Sequence, residues 1–300
     1  MNPNAEWVSA ELTPTLSATL PHLQIGSVLG GGGGGWVFAA YDTTKQTPVA
    51  LKVSADSLAA ERTLPGGRGR LHKEAEILTA YPHPNMVAAL GFHETETMSI
   101  LVLEHVDRVS VFRKCFDEPL PLPEVLGVLV AAARVQHHLH EHGFLHGDTK
   151  PENVLFDPAG RHRLIDLGQA RPWPYPVGRR VPGTAWYLAP EAIVGGGVLL
   201  PSTDVYALSM MAYELLAGHM PYPPAGGDEG ILRQQISIAP IPLAFVAPQL
   251  PRALVELVMA GLAKSAADRP QSAQEFADRL VEIGASSCTS IVAKSATNRP

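Results

Sequence analysis

Hydrophobic and polar positions change their period about a third of the way along the chain. Between residues 23 and 103 the apolar residues come in short runs broken by turn formers. Val37-Phe38-Ala39-Ala40-Tyr41 and Val49-Ala50-Leu51-Lys52-Val53 predict two strands, and Asp42 to Thr47 between them predicts a hairpin connection. Residues 99–103 predict a further buried strand. Residues 71–81 interrupt this pattern with helical spacing, placing Leu71, Ile77 and Leu78 near one face. After Glu104 helical periods dominate. Residues 123–143 open on a proline, which costs nothing at a first helical position, and 204–218 end on Gly218, a natural stop. Residues 251–264 and 271–283 predict two more helices. The expected class is α+β, with a strand-rich first part and a larger helical second part.

The two ends lack this patterning. Residues 1–21 interleave Thr13, Thr15, Ser17 and Thr19 with Pro14 and Pro21, and predict a flexible arm. Residues 285–300 are rich in serine and threonine and poor in apolar side chains, and predict a flexible tail. The ordered region expected is 22–284, divided into 22–104 and 105–284.

Composition narrows the class. A hydrophobic share of 46% against 17% charged fits a well-cored globular chain. The net charge of −6, with no basic stripe, argues against nucleic acid as a partner. Cys115 and Cys288 are too few and too far apart for a disulfide framework, so free thiols in a reducing compartment are expected. No basic segment followed by an apolar run opens the chain, and the aliphatic stretch 125–133 stops at Arg134, well short of the about 20 residues a membrane span needs. A cytoplasmic protein without a membrane segment is expected.

The chemistry concentrates in His146-Gly147-Asp148-Thr149-Lys150-Pro151-Glu152-Asn153. Asp148 can accept a proton from a hydroxyl, Lys150 can neutralise a moving phosphoryl group, and Asn153 can hold a divalent metal. Asp166, thirteen residues after Asn153, is a second metal ligand. Phosphoryl transfer needs positioning and positive charge more than covalent help. Upstream, Gly30 to Gly35 form an unbroken glycine run. A flexible linker is one reading, but the run lies between two strand-like segments, with Lys52 fifteen residues beyond Val37. Glycines there let backbone amides approach phosphate oxygens. A strand lysine needs an anionic partner, and Glu74 and Glu76 both qualify on sequence alone. His138 and His142 stand four apart on a helix as a metal pair without a third ligand; incidental histidines on a partly exposed helix are the blander reading.

The ordered set resembles the bacterial eukaryotic-like (Hanks-type) serine/threonine protein kinases. It comprises Gly30-x-Gly32-x-x-Gly35-x-Val37, Val49-Ala50-Leu51-Lys52, Glu74, His146-Gly147-Asp148, Lys150, Asn153, Asp166-Leu167-Gly168, Ala189-Pro190-Glu191, Asp204-Val205-Tyr206 and Arg269. The resemblance covers residues 23–283 and implies a bilobal fold, with a small strand-rich lobe carrying one helix and a larger helical lobe. It implies ATP and Mg²⁺ as cofactors and proteins with serine or threonine acceptors as substrates, autophosphorylation among them. Its spacing selects Glu74 as the partner of Lys52. The glycine loop would cover the phosphates, and Lys52 would contact the α- and β-phosphates. Asn153 and Asp166 would bind Mg²⁺, Asp148 would deprotonate the acceptor, and Lys150 would face the γ-phosphate. Lys150 with Thr184 is the serine/threonine pattern. Glu104, His105 and Val106 would meet the adenine edge after Leu103; Leu29, Val37, Ala50 and Leu155 would line the ring site. Glu191 with Arg269, and Asp204 beneath the catalytic loop, resemble structural contacts of the family.

Departures qualify the picture. Gly147 stands where many regulated kinases carry the arginine that reads an activation-loop phosphate. The stretch 166–191 holds one hydroxyl amino acid of the serine/threonine type, Thr184, while prolines at 172, 174, 176 and 182 restrict the loop. Activity independent of loop phosphorylation is expected. Gly34 replaces a loop-tip aromatic, so weaker phosphate shielding is expected. Arg179 and Arg180 could favour acidic substrates or be a solvated loop. Two competing functions remain on the sequence: a nucleotide-binding scaffold without turnover, and a small-molecule phosphotransferase, since His-Gly-Asp also serves antibiotic kinases.

Overall fold

The computed structural model describes residues 4–32, 35–54, 69–106, 110–157, 159–178, 181–224 and 226–297, with side chains from 9 to 286 apart from those of 32, 116 and 117. Gly33, Gly34, Arg179, Arg180 and the side chain of Cys288 lie outside it. The chain forms two compact units, Met1–Asp107 and Arg108–Pro300.

Among the described residues the first unit is one antiparallel sheet with two helices. Strands β1 (Leu23–Gly32), β2 (Gly35–Asp42), β3 (Thr47–Ser54), β4 (Ala89–Glu94) and β5 (Ser99–Glu104) take the order β1-β2-β3-β5-β4. The β2–β3 turn is fixed by Asp42, whose Oδ1 accepts from the amides of Thr44 at 2.9 Å and Lys45 at 3.0 Å. Register sorts the side chains between the faces. Val37 pairs with Lys52 and Lys52 with Leu101, while Ala39 pairs with Ala50 and Ala50 with Leu103. Cross-strand partners share a face, so these six lie together. Phe38, Val49, Leu51, Val53, Ile100 and Val102 fill the opposite face.

That opposite face overturns the expectation of a flexible arm. Residues Asn4–Thr19 form helix α1, and its Leu12 and Leu16, with Leu20 just beyond, are buried in the same cluster as Phe38 and Leu51. The spacing of four turns them to one side of a helix, and covering an otherwise bare apolar sheet outweighs the helix-breaking tendency of Pro14. Helix α2 (Arg70–Ala80) presents Leu71, Glu74, Ala75, Ile77 and Leu78 inward.

In the second unit, α3 (Val111–Asp117) precedes the long α4 (Leu122–Glu141), then β6 (Phe144–Leu145), the hairpin β7 (Val154–Phe156) and β8 (His162–Leu164), β9 (Arg171–Pro172), β10 (Tyr175–Pro176), α5 (Pro190–Val194), β11 (Val198–Leu199), α6 (Pro201–Ala217), α7 (Gly227–Ser237), α8 (Leu243–Val246), α9 (Arg252–Gly261) and α10 (Ala273–Thr297). Helix α6 is buried nearly all round, from Ser202 to Tyr213, and is the axis against which α4, α9 and α10 pack. The helix predicted over 271–283 continues as α10 to Thr297, into the serine- and threonine-rich stretch. No helix among the described residues is long and apolar enough to cross a membrane.

Candidate active site

In the first unit Lys52 Nζ lies 2.6 Å from Glu74 Oε2, with side chains 7% and 1% exposed. Alternation along β3 turns Lys52 away from the α1 side, and helical spacing turns Glu74 inward with Leu71 and Leu78 while Glu76 stands on the exposed side beside His72. Val37 and Ala50 share the face of Lys52. Leu29, 53% exposed, and Gly30 lie at the irregular end of β1, where Gly30 pairs with Val37 and Gly32 with Gly35. Gly35 has a reason to be glycine: its φ is +109°, and a Cβ there would sit 2.2 Å from the Val53 carbonyl oxygen. Glu104 closes β5, its amide donating to Ala88 O at 2.9 Å, and Val106 follows, half-buried.

In the second unit the segment from His146 to Asn153 wraps around a buried carboxylate. Asp204 accepts from the His146 amide at 2.8 Å, the Gly147 amide at 3.0 Å and His140 Nε2 at 2.8 Å. Burial alone would raise its pKa. The hydrogen bond and charge of His140, then His146 and the Gly147 amide, outweigh burial and hold Asp204 below the usual carboxylate range. Gln136 adds two donations from Nε2, to Thr149 Oγ1 at 2.9 Å and Asp204 O at 3.0 Å.

Above this anchor Asp148 is bound by side chains. Lys150 Nζ donates to Asp148 Oδ2 at 2.7 Å and to Thr184 Oγ1 at 2.6 Å, and Thr184 Oγ1 donates to Asp148 Oδ1 at 2.8 Å. Asn153 Nδ2 donates to Asp148 O at 2.8 Å and Oδ2 at 3.2 Å, which turns its Oδ1 the other way. The Ile165 amide donates to Asn153 O at 2.9 Å, so Asn153 lies opposite Ile165, the neighbour of Asp166, at the open end of the β7–β8 hairpin. Asp166 has φ +69° and accepts from the Gly168 amide at 3.0 Å. Its carboxylate and the Asn153 amide oxygen are both hard oxygen donors. Two protein oxygens suit a magnesium ion that also takes phosphate oxygens, and no cluster of three or more His, Cys, Asp or Glu that could hold a metal occurs among the described residues. Leu155 lies on β7, paired with Arg163.

Glu191 and Arg269 meet in a bidentate pair, 2.8 Å at both contacts, and Arg269 also donates to the carbonyls of Ala263, Ser202 and Lys264. Two neighbouring histidines are structural: His140 and His146 are 6% and 0% exposed and belong to the Asp204 anchor. Sequence reasoning missed His140, Gln136 and the bond from the Tyr187 hydroxyl to Glu214 Oε2, 2.5 Å long. Helical spacing sets Gln136 and His140 on one face of α4 but does not name their distant partner.

This order of glycine strand, lysine–glutamate pair, aspartate loop and arginine-tied segment is matched in known proteins. The protein kinase domain family matches residues 23–290. The serine/threonine-protein kinase pkn2 of Myxococcus xanthus is 35% identical over 263 residues, 84% of this chain and 31% of that one. PknB of Mycobacterium leprae is 31% identical over 280 residues, covering 88% and 44%. The DNA damage-responsive serine/threonine-protein kinase RqkA of Deinococcus radiodurans is 34% identical over 266 residues, covering 84% and 38%. The chain thus spans between about a third and under half of the length of these relatives. Motifs, site geometry and a match over nearly its whole length agree, and the chain belongs to the protein kinase domain family.

Proposed function

We propose that the chain transfers the γ-phosphoryl group of ATP to serine or threonine hydroxyls of proteins. The observation that carries this reading is the bonding of Asp148, Lys150 and Thr184 to one another on a loop hung from Asp204. Asp148 Oδ1 already holds a threonine hydroxyl at 2.8 Å, a geometry in which it can orient an acceptor hydroxyl and take its proton. In the step, the acceptor oxygen bonds to the γ-phosphorus, the bond to the bridging oxygen of ADP breaks, and the acceptor proton passes to Asp148. Lys150 offsets the negative charge that develops beside it. Asn153 and Asp166 would hold magnesium, which neutralises and orients phosphate oxygens when bound. On the first unit, Lys52, fixed by Glu74, would bind phosphate, and Leu29, Gly30, Gly32, Gly35, Val37 and Ala50 would receive the nucleotide, with Glu104 and Val106 at the adenine edge. Leu155 would contribute from the second unit.

Activity without loop phosphorylation is the second part of the reading. Gly147 adopts φ +77°, and a Cβ there would meet the Gln169 carbonyl oxygen at 2.7 Å and Arg171 Nη2 at 3.4 Å. The side of the loop where an arginine would project is taken by Arg171. Its Nε donates to Gln169 O at 3.0 Å and its Nη2 to Pro182 O at 3.4 Å, joining the two arms of the segment. Short ladders β6–β9 and β10–β11 pin the same stretch, and Val177 and Val181 are buried with Leu145, Leu188 and Leu199. Packing and backbone bonds occupy the role a phosphate would otherwise fill.

Comparing the phosphoproteins formed by wild type and Asp148→Asn tests the first part; the variant should lose about 10²–10⁴-fold in rate. A wild type without turnover would favour the scaffold, and a phosphorylated metabolite in place of phosphoprotein would favour the small-molecule enzyme. For the second part, enzyme stripped by a phosphatase should keep its rate, and near-complete loss of activity would end that reading.

A further inference from the structure

Helix α7 packs against α5 and the turn Ala185–Tyr187. From it Gln235, 0% exposed, donates Nε2 to the Trp186 carbonyl oxygen at 2.5 Å. Its own carbonyl accepts from Lys264 Nζ at 2.6 Å, and Lys264 also donates to Gln234 O at 3.4 Å and the Tyr222 hydroxyl at 2.7 Å. Trp186 lies between Thr184, which is bonded to Asp148 and Lys150, and Tyr187, whose hydroxyl is bonded to Glu214. Gln235 Oε1 is buried without a partner among the described residues. Methionine would fill a similar volume without stranding that oxygen, so packing alone does not call for glutamine here. The arrangement has a mechanical reading: a helix-borne amide, braced from behind by a lysine, grips the turn that presents Thr184 to Asp148.

We propose that Gln235 is a positioning residue for the phosphoryl acceptor, acting through Trp186 and the Thr184 turn, with Lys264 bracing the helix that carries it. The proposal rests on the kinase reading above. Burial, then Arg269, pulls the Lys264 pKa down to about 8, so the brace carries its positive charge only below that pH.

The test is Gln235→Met against wild type, with myelin basic protein as a generic serine/threonine acceptor. kcat/KM for the acceptor should fall on the order of ten- to a hundredfold, while the KM for ATP and the melting temperature stay at wild-type values. Hydrogen exchange of the Tyr187 and Leu188 amides, which donate to Thr184 O and Ala185 O, should accelerate while α7 remains protected. Unchanged acceptor kinetics and exchange would overturn the proposal. So would a fall in melting temperature with normal kinetics per folded molecule. Should Gln235→Met not fold, Lys264→Met is expected to give the same exchange signature, and its absence would be equally fatal. A wild type that phosphorylates nothing would refute the kinase reading, while the exchange comparison would still decide the clamp.

Discussion

Asp148 and Asp204 are two buried carboxylates on either side of one loop, and they are held in opposite ways. Asp204, 2% exposed, is bound by two backbone amides and a buried imidazole, partners that cannot leave without moving the chain. Asp148, 8% exposed, is bound by the tips of Lys150, Thr184 and Asn153 and by one weak amide contact at 3.4 Å. Side-chain tips can yield to an incoming hydroxyl; backbone amides serve as fixed points. The same chemical group is therefore an anchor in one place and a reactive group in the other, and the difference lies in the partners.

The comparison is broken most strongly by exchanging the consequences. Asp148→Asn keeps shape and should cost the about 10²–10⁴-fold in rate given above with a melting temperature close to wild type. Asp204→Ala should do the reverse in kind, losing about 3–5 kcal/mol of stability because two amides and His140 are left buried without their acceptor. Chemical denaturation with parallel rate measurements separates the two. Equal losses of stability in both variants would dissolve the distinction.

A purely structural element gives a milder contrast. Leu16 on α1 is 0% exposed and packed against the sheet face that does not carry Lys52. Leu16→Ala should cost about 3 kcal/mol of stability and leave the rate per folded molecule unchanged. A lower rate in the folded fraction would mean that α1 also tunes the Lys52 side of the sheet.

Local pattern carried most of the site. The alternation around Lys52 and the spacing of Asp148, Lys150 and Asn153 are written within a few residues, and the strands and loop that hold them followed from the same stretches. The first helix was missed because composition competes with spacing there: Leu12, Leu16 and Leu20 recur every four residues, but Pro14 and the threonines between them mimic a linker. The serines and threonines after Ile283 hid the continuation of α10 in the same way. His140 was out of reach for another reason. Its partner lies 64 residues away, and nothing local distinguishes an imidazole that will meet a carboxylate from one that faces solvent.

The smallest effect tests the link between the two carboxylates. His146 joins them: its amide donates to Asp204, and its Nδ1 accepts from the Asp148 amide at 3.3 Å. That bond fixes the neutral tautomer with the proton on Nε2, which is buried without a partner among the described residues. Burial holds the pKa of His146 below its ordinary 6.5, and the nearby charges of Asp204, Asp148 and Asp166 only partly oppose this. A depressed histidine pKa means that the unfolded chain binds the proton first. Stability should therefore be complete well above pH 6.5 and decline as the pH falls below it. Protonating Nδ1 would also remove the acceptor that seats the Asp148 amide, so the acid side should loosen the reactive loop before it discharges Asp204, whose pKa is held below 3.8. Replacing the imidazole by the amide in His146→Asn removes the titrating group. Urea denaturation at pH 7.5 and 5.5 should show a smaller difference for this variant than for wild type. An identical difference in the two proteins would place the acid sensitivity elsewhere and leave the anchor and the reactive carboxylate without this shared hinge.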